Sequence, residues 1–358
     1  MEKIPFETWE YKDQTKMKHQ VFNDYIDKWI KIVGKYHKLN YIDGFGGIGA
    51  YKDKNGKIFF GSPVLVAEAI EKITSKLRRN VQIVVIDEKK ENLDNIEKIF
   101  QHKNISIKPL LINEDFDKAI NDILDNVSNL APTFVFVDPF GFKIRMETLE
   151  RIMKINQSEI LLNFMFTRVN QFLSSSKIEK TCNELFGCDD WKKCTALNGH
   201  EREACILEAL RDRIKKFSKY VYYYKFEFAD KKKSFYYLFH LADHYLGCSI
   251  MKSSFAKFNF GRVEYRGGRS AQLGIFEGEE NAICDATKHL KKAYSGQQKT
   301  YQQIVEEQID NTSFLEKELK TAIKGMEGKG VTISRIPQKT KTGKNRTGIQ
   351  NNDIIIFS

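Results

Sequence analysis

The stretch Leu39-Asn40-Tyr41-Ile42-Asp43-Gly44-Phe45-Gly46-Gly47-Ile48-Gly49 decides how the rest of the chain is read. A short apolar run ends in an aspartate and opens into a loop with glycine at 44, 46, 47 and 49. A strand feeds a nucleotide-binding loop in this way. Glycine permits positive φ and lets the backbone approach a ligand with no Cβ between them. Any tight turn also favours glycine, so the loop alone fits an ordinary turn equally well, and its neighbours must decide.

Upstream, residues 16–37 have a helical period that places Val21, Tyr25, Ile26, Trp29, Ile32 and Val33 on one face. Lys18 and His19 lie at its start, as a solvated helix end or as cations near a cofactor carboxylate or substrate phosphate. Downstream, Ser62-Pro63 marks a helix start, with Ser62 as N-cap, running to about Leu77. The apolar runs 81–86, 105–112, 133–137 and 160–166 then alternate with helical segments, which predicts a doubly wound parallel sheet. Asp87 and Asp138 end two of these runs, and Asn113-Glu114-Asp115-Phe116 follows a third. In such sheets ligands bind at the strand C-termini. Asp87 is placed to take ribose hydroxyls, although its distance from Asp43 exceeds the usual ~20 residues. Asp115 and Phe116 suit an adenine, through its amino group and ring face. Asp115 equally suits the N-cap of the helix that follows.

Residues 168–219 read as a helical insertion over the strand ends. The aromatic runs 220–228 and 234–241 flank Ala229-Asp230-Lys231-Lys232-Lys233, which predicts an antiparallel hairpin closing the sheet. A last helix covers 244–258, and the Gly- and Arg-rich 261–278 (Arg262, Arg266, Arg269) reads as a loop. From about 297 two short helices and two strands follow. Between them Arg335, Lys339, Lys341, Lys344 and Arg346 carry no intervening acid. Two helices and a basic hairpin predict a small winged helix-turn-helix-like domain over 297–358, beside a Rossmann-like domain over 1–292.

The chain of 358 residues carries a net charge of +11, which favours acidic partners and nucleic acid above all. No apolar run reaches the length of a membrane span and the N-terminus has no signal-peptide core, so a cytoplasmic protein is expected. The six cysteines form no C-x-x-C pair and are too widely spaced for a usual zinc site. They read as reduced structural thiols, and no metal is assigned.

Written as D-x-F-x-G-x-G, residues 43–49 resemble motif I of class I S-adenosylmethionine (SAM) methyltransferases. Further motifs point the same way: Lys18-His19, Gly61-Ser62-Pro63, Phe136-Val137-Asp138-Pro139-Phe140-Gly141-Phe142, Asn163-Phe164-Met165 and Tyr237-Leu238-Phe239-His240. As a set, over residues 14–258, they resemble the three-Cys-motif partner (TcmP) family, named for cysteines of a partner protein encoded nearby. The resemblance implies a Rossmann-like methyltransferase sheet of parallel strands closed by an antiparallel hairpin. It implies SAM as cofactor, held by Asp43, Gly44, Phe45, Gly47, Gly49, Asp87, Asp115 and Phe116. Gly46 stands where related loops often have Ala, which reads as a mild departure.

Asp138-Pro139-Phe140 is similar to the D-P-P-Y motif of enzymes that methylate nucleobase amines. There the carboxylate and the following carbonyl accept N–H bonds and an aromatic stacks on the flipped base. Here Phe140 replaces the second Pro, and the final aromatic is displaced to Phe142. Asp138, Pro139 and Phe140 are thus the candidate catalytic residues of a methyltransferase acting on nucleic acid. Lys18, His19, Phe142, Asn163 and the basic residues Arg335 to Arg346 are candidate substrate contacts. Two further readings stand beside this one. One is a non-catalytic subunit that binds SAM or a nucleotide together with nucleic acid or a protein partner. The other is a Mg²⁺-dependent nuclease built on Asp43, Asp87 and Asp138.

Overall fold

The computed structural model describes residues 4–73, 80–227, 234–258, 279–340 and 342–358. The chain divides into two units, residues 1–260 and 261–358. In the first, strand β1 (Trp9–Glu10) leads into helix α1 (Asp13–Val33). The 3.6-residue period of α1 buries Val21, Phe22, Tyr25, Ile26, Trp29 and Ile30. Strand β2 (Leu39–Asp43) follows, then a hairpin of β3 (Ala50–Lys52) and β4 (Ile58–Phe60), then helix α2 (Ser62–Glu71). The hairpin pairs with β1 into a separate three-stranded sheet. Gly61, not Ser62, is the N-cap of α2. The Ser62 hydroxyl is turned instead to Asp43, and Leu77 lies outside the described residues.

Strands β5 (Val81–Ile86), β6 (Leu110–Ile112), β7 (Thr133–Val137) and β8 (Glu159–Phe164) alternate with helices. These are α3 (Lys90–His102), α4 (Phe116–Asn126) and α5 (Met146–Met153). After β8 come α6 (Phe166–Phe172), α7 (Glu179–Phe186) and α8 (Gly199–Ile214). Strands β9 (Tyr220–Glu227) and β10 (Ser234–Ala242) and helix α9 (Tyr245–Lys257) complete the unit. The seven-stranded order is β6-β5-β2-β7-β8-β10-β9. The first five strands are parallel, and β10 runs antiparallel to both β8 and β9. The chain builds outward from β2 through β5 to β6, then returns to β7 on the other side. The crevice at the β2 and β7 ends is therefore a topological switch point.

The period of two along each strand divides the core. Phe22, Tyr25 and Trp29 of α1 pack on Tyr41, Phe134 and Phe136 of one sheet face. Ile42, Val135, Val137, Ile160 and Leu162 of the other face share a core with residues of α4, α5, α7 and α8. Residues 168–219 are thus helical, but much of this segment packs on the sheet as a second layer. Leu185, Phe186, Leu207 and Leu210 are buried in that core.

The cysteines of this layer correct the reading of reduced thiols. Cys194 and Cys205 form a disulfide with Cα atoms 5.6 Å apart. A short 3₁₀ helix, Asp190–Ala196, turns back onto α8 and brings the two residues face to face. Cys182, Cys188, Cys248 and Cys284 are free thiols.

In the second unit, α10 (Glu279–Tyr294) is followed by β11 (Gln298–Thr300), α11 (Tyr301–Gln308) and α12 (Glu316–Met326). Strands β12 (Val331–Ser334) and β13 (Ile354–Phe357) complete an antiparallel sheet of order β11-β13-β12. A capping box between Thr300 and Gln303 starts α11. Helix α10 packs on α12, so this unit begins before residue 297 and takes in a helix the sequence placed with the first domain. Arg262, Arg266, Arg269, Lys341 and the 228–233 turn lie outside the described residues.

Candidate active site

The glycine loop after β2 is held by two buried carboxylates. Asp43 is fully buried and accepts from the Tyr41 hydroxyl at 2.8 Å and the Phe45 N–H at 3.3 Å. Burial raises its carboxyl to about 6, against the lowering effect of its bonds from Ser62, Tyr41 and Phe45. Asp87, also buried, accepts the Gly47 N–H at 2.8 Å on Oδ2. Its Oδ1 takes the Lys89 N–H at 2.8 Å and Asn92 Nδ2 at 3.0 Å.

The glycines serve different ends. A Cβ on Gly44 would lie 2.7 Å from the Phe116 ring, one on Gly46 2.4 Å from Val85 Cγ1, and one on Gly49 2.7 Å from Ile96 Cγ1. These three let the loop pack on the protein, and Ala at 46 would force a shift, so that departure is not sterically mild. Gly47 is different. Its φ is +57°, and a Cβ there would meet nothing nearer than 3.7 Å. Gly47 is therefore set by its positive φ and not by close packing, with Trp9 and Tyr51 at ordinary contact distance.

Gly47 and Phe45 line a cleft of about 880 Å³ together with Lys18, Asp138, Pro139, Phe140 and Asn163. Asp138 follows β7 and Asn163 lies on the neighbouring β8. Asn163 Nδ2 donates to Asp138 Oδ1 at 2.5 Å, and Lys18 Nζ meets Oδ2 at 2.5 Å. Asn163 Oδ1 is buried without a hydrogen-bond partner. Phe140 is 76% exposed, with Trp9 edge-on to it at 5.6 Å between ring centroids. The cleft thus holds a cation, a carboxylate, an orphaned acceptor and an exposed aromatic surface.

The other candidates stand outside the cleft lining. Asp43, Gly44, Gly49 and Asp87 build the loop behind it. Asp115 caps α4 through its bond from the Lys118 N–H, and the buried Phe116 ring packs at 5.2 Å on Phe45. Phe142 packs against the core. His19 is buried, stacked on Tyr11 and edge-on to Tyr51. Burial, with the Lys18 charge, lowers its pKa to about 3 against the pull of Asp138, so His19 is neutral. The carboxylates of the nuclease reading do not converge. Asp43 and Asp87 turn to loop N–H groups, and among the described residues no group of three His, Cys, Asp or Glu is placed to hold a metal ion.

In the second unit, Arg335 pairs with both carboxylate oxygens of Glu327, at 2.6 and 2.8 Å, and Arg346 pairs with the buried Asp353. Lys339 and Lys344 are exposed. Sequence reading missed Trp9, Lys12, Thr15, Tyr51, Met165, Arg168, Gln171 and Tyr236, all of which line the first unit's cleft. Arg168, three residues after the matched Asn163-Phe164-Met165, carried the nearest signal.

No protein-family model matches the chain, and no curated protein matches it in sequence. Solved structures do. Protein LPL1258 from Legionella pneumophila is 12% identical, covers 70% of this chain and 95% of its own, and has a TM-score of 0.46. A putative rRNA-methylase from Clostridium thermocellum is 11% identical, with coverages of 61% and 96% and a TM-score of 0.32. An O-methyltransferase from Bacillus cereus, solved with SAH, is 10% identical, with coverages of 62% and 80% and a TM-score of 0.36. Among the described residues no helix is long and apolar enough to cross a membrane.

Proposed function

We propose that this chain is a SAM-dependent methyltransferase acting on a nucleobase amine of a nucleic acid, and that its first unit is a member of the TcmP family. One observation carries the reading. Asp138 and Asn163, at the ends of neighbouring strands, place an anchored carboxylate and an orphaned acceptor in one cleft with the exposed Phe140 and with Gly47. An exocyclic amine brings the N–H donor that Asn163 Oδ1 lacks, beside a carboxylate whose oxygens already meet Asn163 and Lys18. Gly47 lines the cleft, which suits approach of SAM, with Phe45 beside it and Asp87 behind. Two donors already fill Asp87 Oδ1, so a ribose hydroxyl would have to use the remaining lone pair of Oδ2.

SAM supplies an activated methyl group on a good leaving group. The protein's part is positioning. Asp138 and Asn163 Oδ1 accept the amine's N–H bonds and so direct its lone pair, Lys18 and Asn163 fix the carboxylate, and Phe140 stacks on the base. The second unit runs helix, strand, helix, helix and a strand pair, which supports the winged-helix reading. It would add nucleic-acid surface through Lys339 and Lys344. The ion pair of Lys18 with Asp138 favours a second reading, a subunit that binds without turnover, because it occupies the oxygen an amine would use. Calorimetry with SAM and S-adenosylhomocysteine, followed by labelled-methyl incorporation into total tRNA, rRNA and DNA, tests both. Absence of SAM binding rejects the proposal; binding without incorporation selects the subunit.

A further inference from the structure

At the opposite end of the sheet, where β8 begins, a second cleft of about 270 Å³ lies between the C-terminal half of α1 and the start of α9. Its walls are largely apolar, with Trp29, Tyr36, Leu246 and Ile250 among them, and Glu159 lies in its lining. The Glu159 side chain is 10% exposed. Its Oε2 accepts from the Tyr25 hydroxyl and lies 2.8 Å from His240 Nε2. That network ties α1 to β8 and β10, which explains Oε2 but not Oε1.

Glu159 Oε1 accepts no hydrogen bond from the protein, so any donor to it comes from the cleft that Glu159 lines. Gly247 faces it. A Cβ there would stand 2.7 Å from Oε1, so glycine is kept inside a helix at a cost of about 1 kcal/mol relative to alanine. A second orphan shares the cleft: Trp29 is 2% exposed and its Nε1–H is unpartnered. Asp243 adds a second carboxylate to the lining, which includes no Lys or Arg. Burial, and to a lesser extent the Glu159 charge, hold the Asp243 carboxyl above its usual range, against its bond from the Lys219 N–H. His37 and His244 are the other titratable groups of the rim.

We propose that this cleft is a binding site for a small primary amine with a flat apolar body, its ammonium on Glu159 Oε1 and its body against Trp29 and Tyr36. An ammonium supplies the donor that Oε1 lacks, and the two aromatic rings favour a cation beside them. A hydroxyl or carbonyl on the ligand would take the Trp29 N–H. The site uses none of the residues of the Asp138 cleft and stands or falls apart from the methyltransferase reading.

The test is titration of the full chain with tyramine and with its neutral isostere 4-(2-hydroxyethyl)phenol, followed by NMR or calorimetry. Tyramine should bind about 10-fold or more tighter than the alcohol, the worth of one charge-assisted bond. Glu159→Gln should erase that preference. The rim variants Tyr36→Ala and Asp243→Asn, which leave the buried network intact, should each weaken tyramine several-fold while SAM affinity stays as in wild type. Absence of tyramine binding at millimolar concentration, equal binding of the two compounds, or binding unchanged in both rim variants would overturn the proposal. The rim variants decide the matter even where Glu159→Gln does not fold.

Discussion

Asp43 and Asp87 are turned into the loop they support, whereas Asp138, at the end of the next strand, stands in a cleft. The first two are saturated or nearly so by N–H and hydroxyl donors of their own surroundings. Asp138 meets a lysine and an asparagine amide, and that asparagine keeps a bare acceptor. Identical residues at equivalent strand ends thus divide into those that build the loop and one that can meet a substrate. Substitution at the first two should therefore read out in stability, and at the third in chemistry.

The largest effect is expected at Asp138. Asp138→Asn keeps the shape but turns one acceptor oxygen into a donor facing the amine's own donor. Methyl transfer should fall about 10²-fold or more with SAM affinity unchanged, because positioning supplies most of the catalysis. Transfer that survives the substitution would remove Asp138 from its role and dissolve the contrast. Asp43→Ala comes next. It strands the buried Tyr41 hydroxyl and the Phe45 N–H, at a cost of about 2–4 kcal/mol in stability to urea. A variant as stable as wild type would show that Asp43 does not build the loop.

Much of the sheet was legible in the sequence. The apolar runs ending in Asp43, Asp87 and Asp138 are strands with polar ends at the switch point, and the aromatic runs after 220 form the closing hairpin. Asp115 does cap a helix. What could not be read are contacts set by packing across long separations. The Lys18–Asp138 pair spans 120 residues and the Asp87–Gly47 bond 40. Strand β1 is two residues long and has no periodicity to detect, yet it brings Trp9 to the cleft. Nor can residue type tell a glycine that packs on Val85, as Gly46 does, from one that lines the cleft, as Gly47 does. The Cys194–Cys205 link escaped because the turn between a 3₁₀ helix and α8 sets it, not a spacing motif.

The contrast also has a pH signature. His19 is neutral when folded, with its pKa near 3 instead of 6.5. Between those values the unfolded chain binds more protons, so His19 makes stability rise with pH over roughly 3 to 6.5. Asp43 acts in the opposite sense. Its folded carboxyl near 6 lies above the unfolded value of 3.8, so it makes stability fall as pH rises between them. The displacement of His19 is the wider and should dominate. Thermal midpoints of wild type and His19→Gln from pH 4 to 7 should diverge, with the acid-side rise shallower in the variant. Parallel curves would mean that His19 binds its proton in the fold as it does in the unfolded chain.

The smallest effects belong to the second unit, where the four described basic residues of the 335–346 segment divide as the aspartates do. Arg335 is spent on Glu327 and Arg346 on Asp353, while Lys339 and Lys344 are exposed and, among the described residues, no acid pairs with them. Arg335→Ala should cost about 0.5–1 kcal/mol, as for other rim ion pairs, and leave nucleic-acid affinity nearly unchanged. Lys339→Ala with Lys344→Ala should leave stability as it is. If each lysine neutralises one phosphate, the double variant lowers the slope of log affinity against log salt by roughly 1.8 on a duplex and about 1.4 on a single strand. A labelled duplex and a labelled single-stranded RNA, titrated at several salt concentrations, give both slopes. An unchanged slope with the full chain would remove nucleic acid from this surface and leave a protein partner as its occupant. A large stability loss in the double variant would show that these lysines, like the arginines beside them, hold the fold.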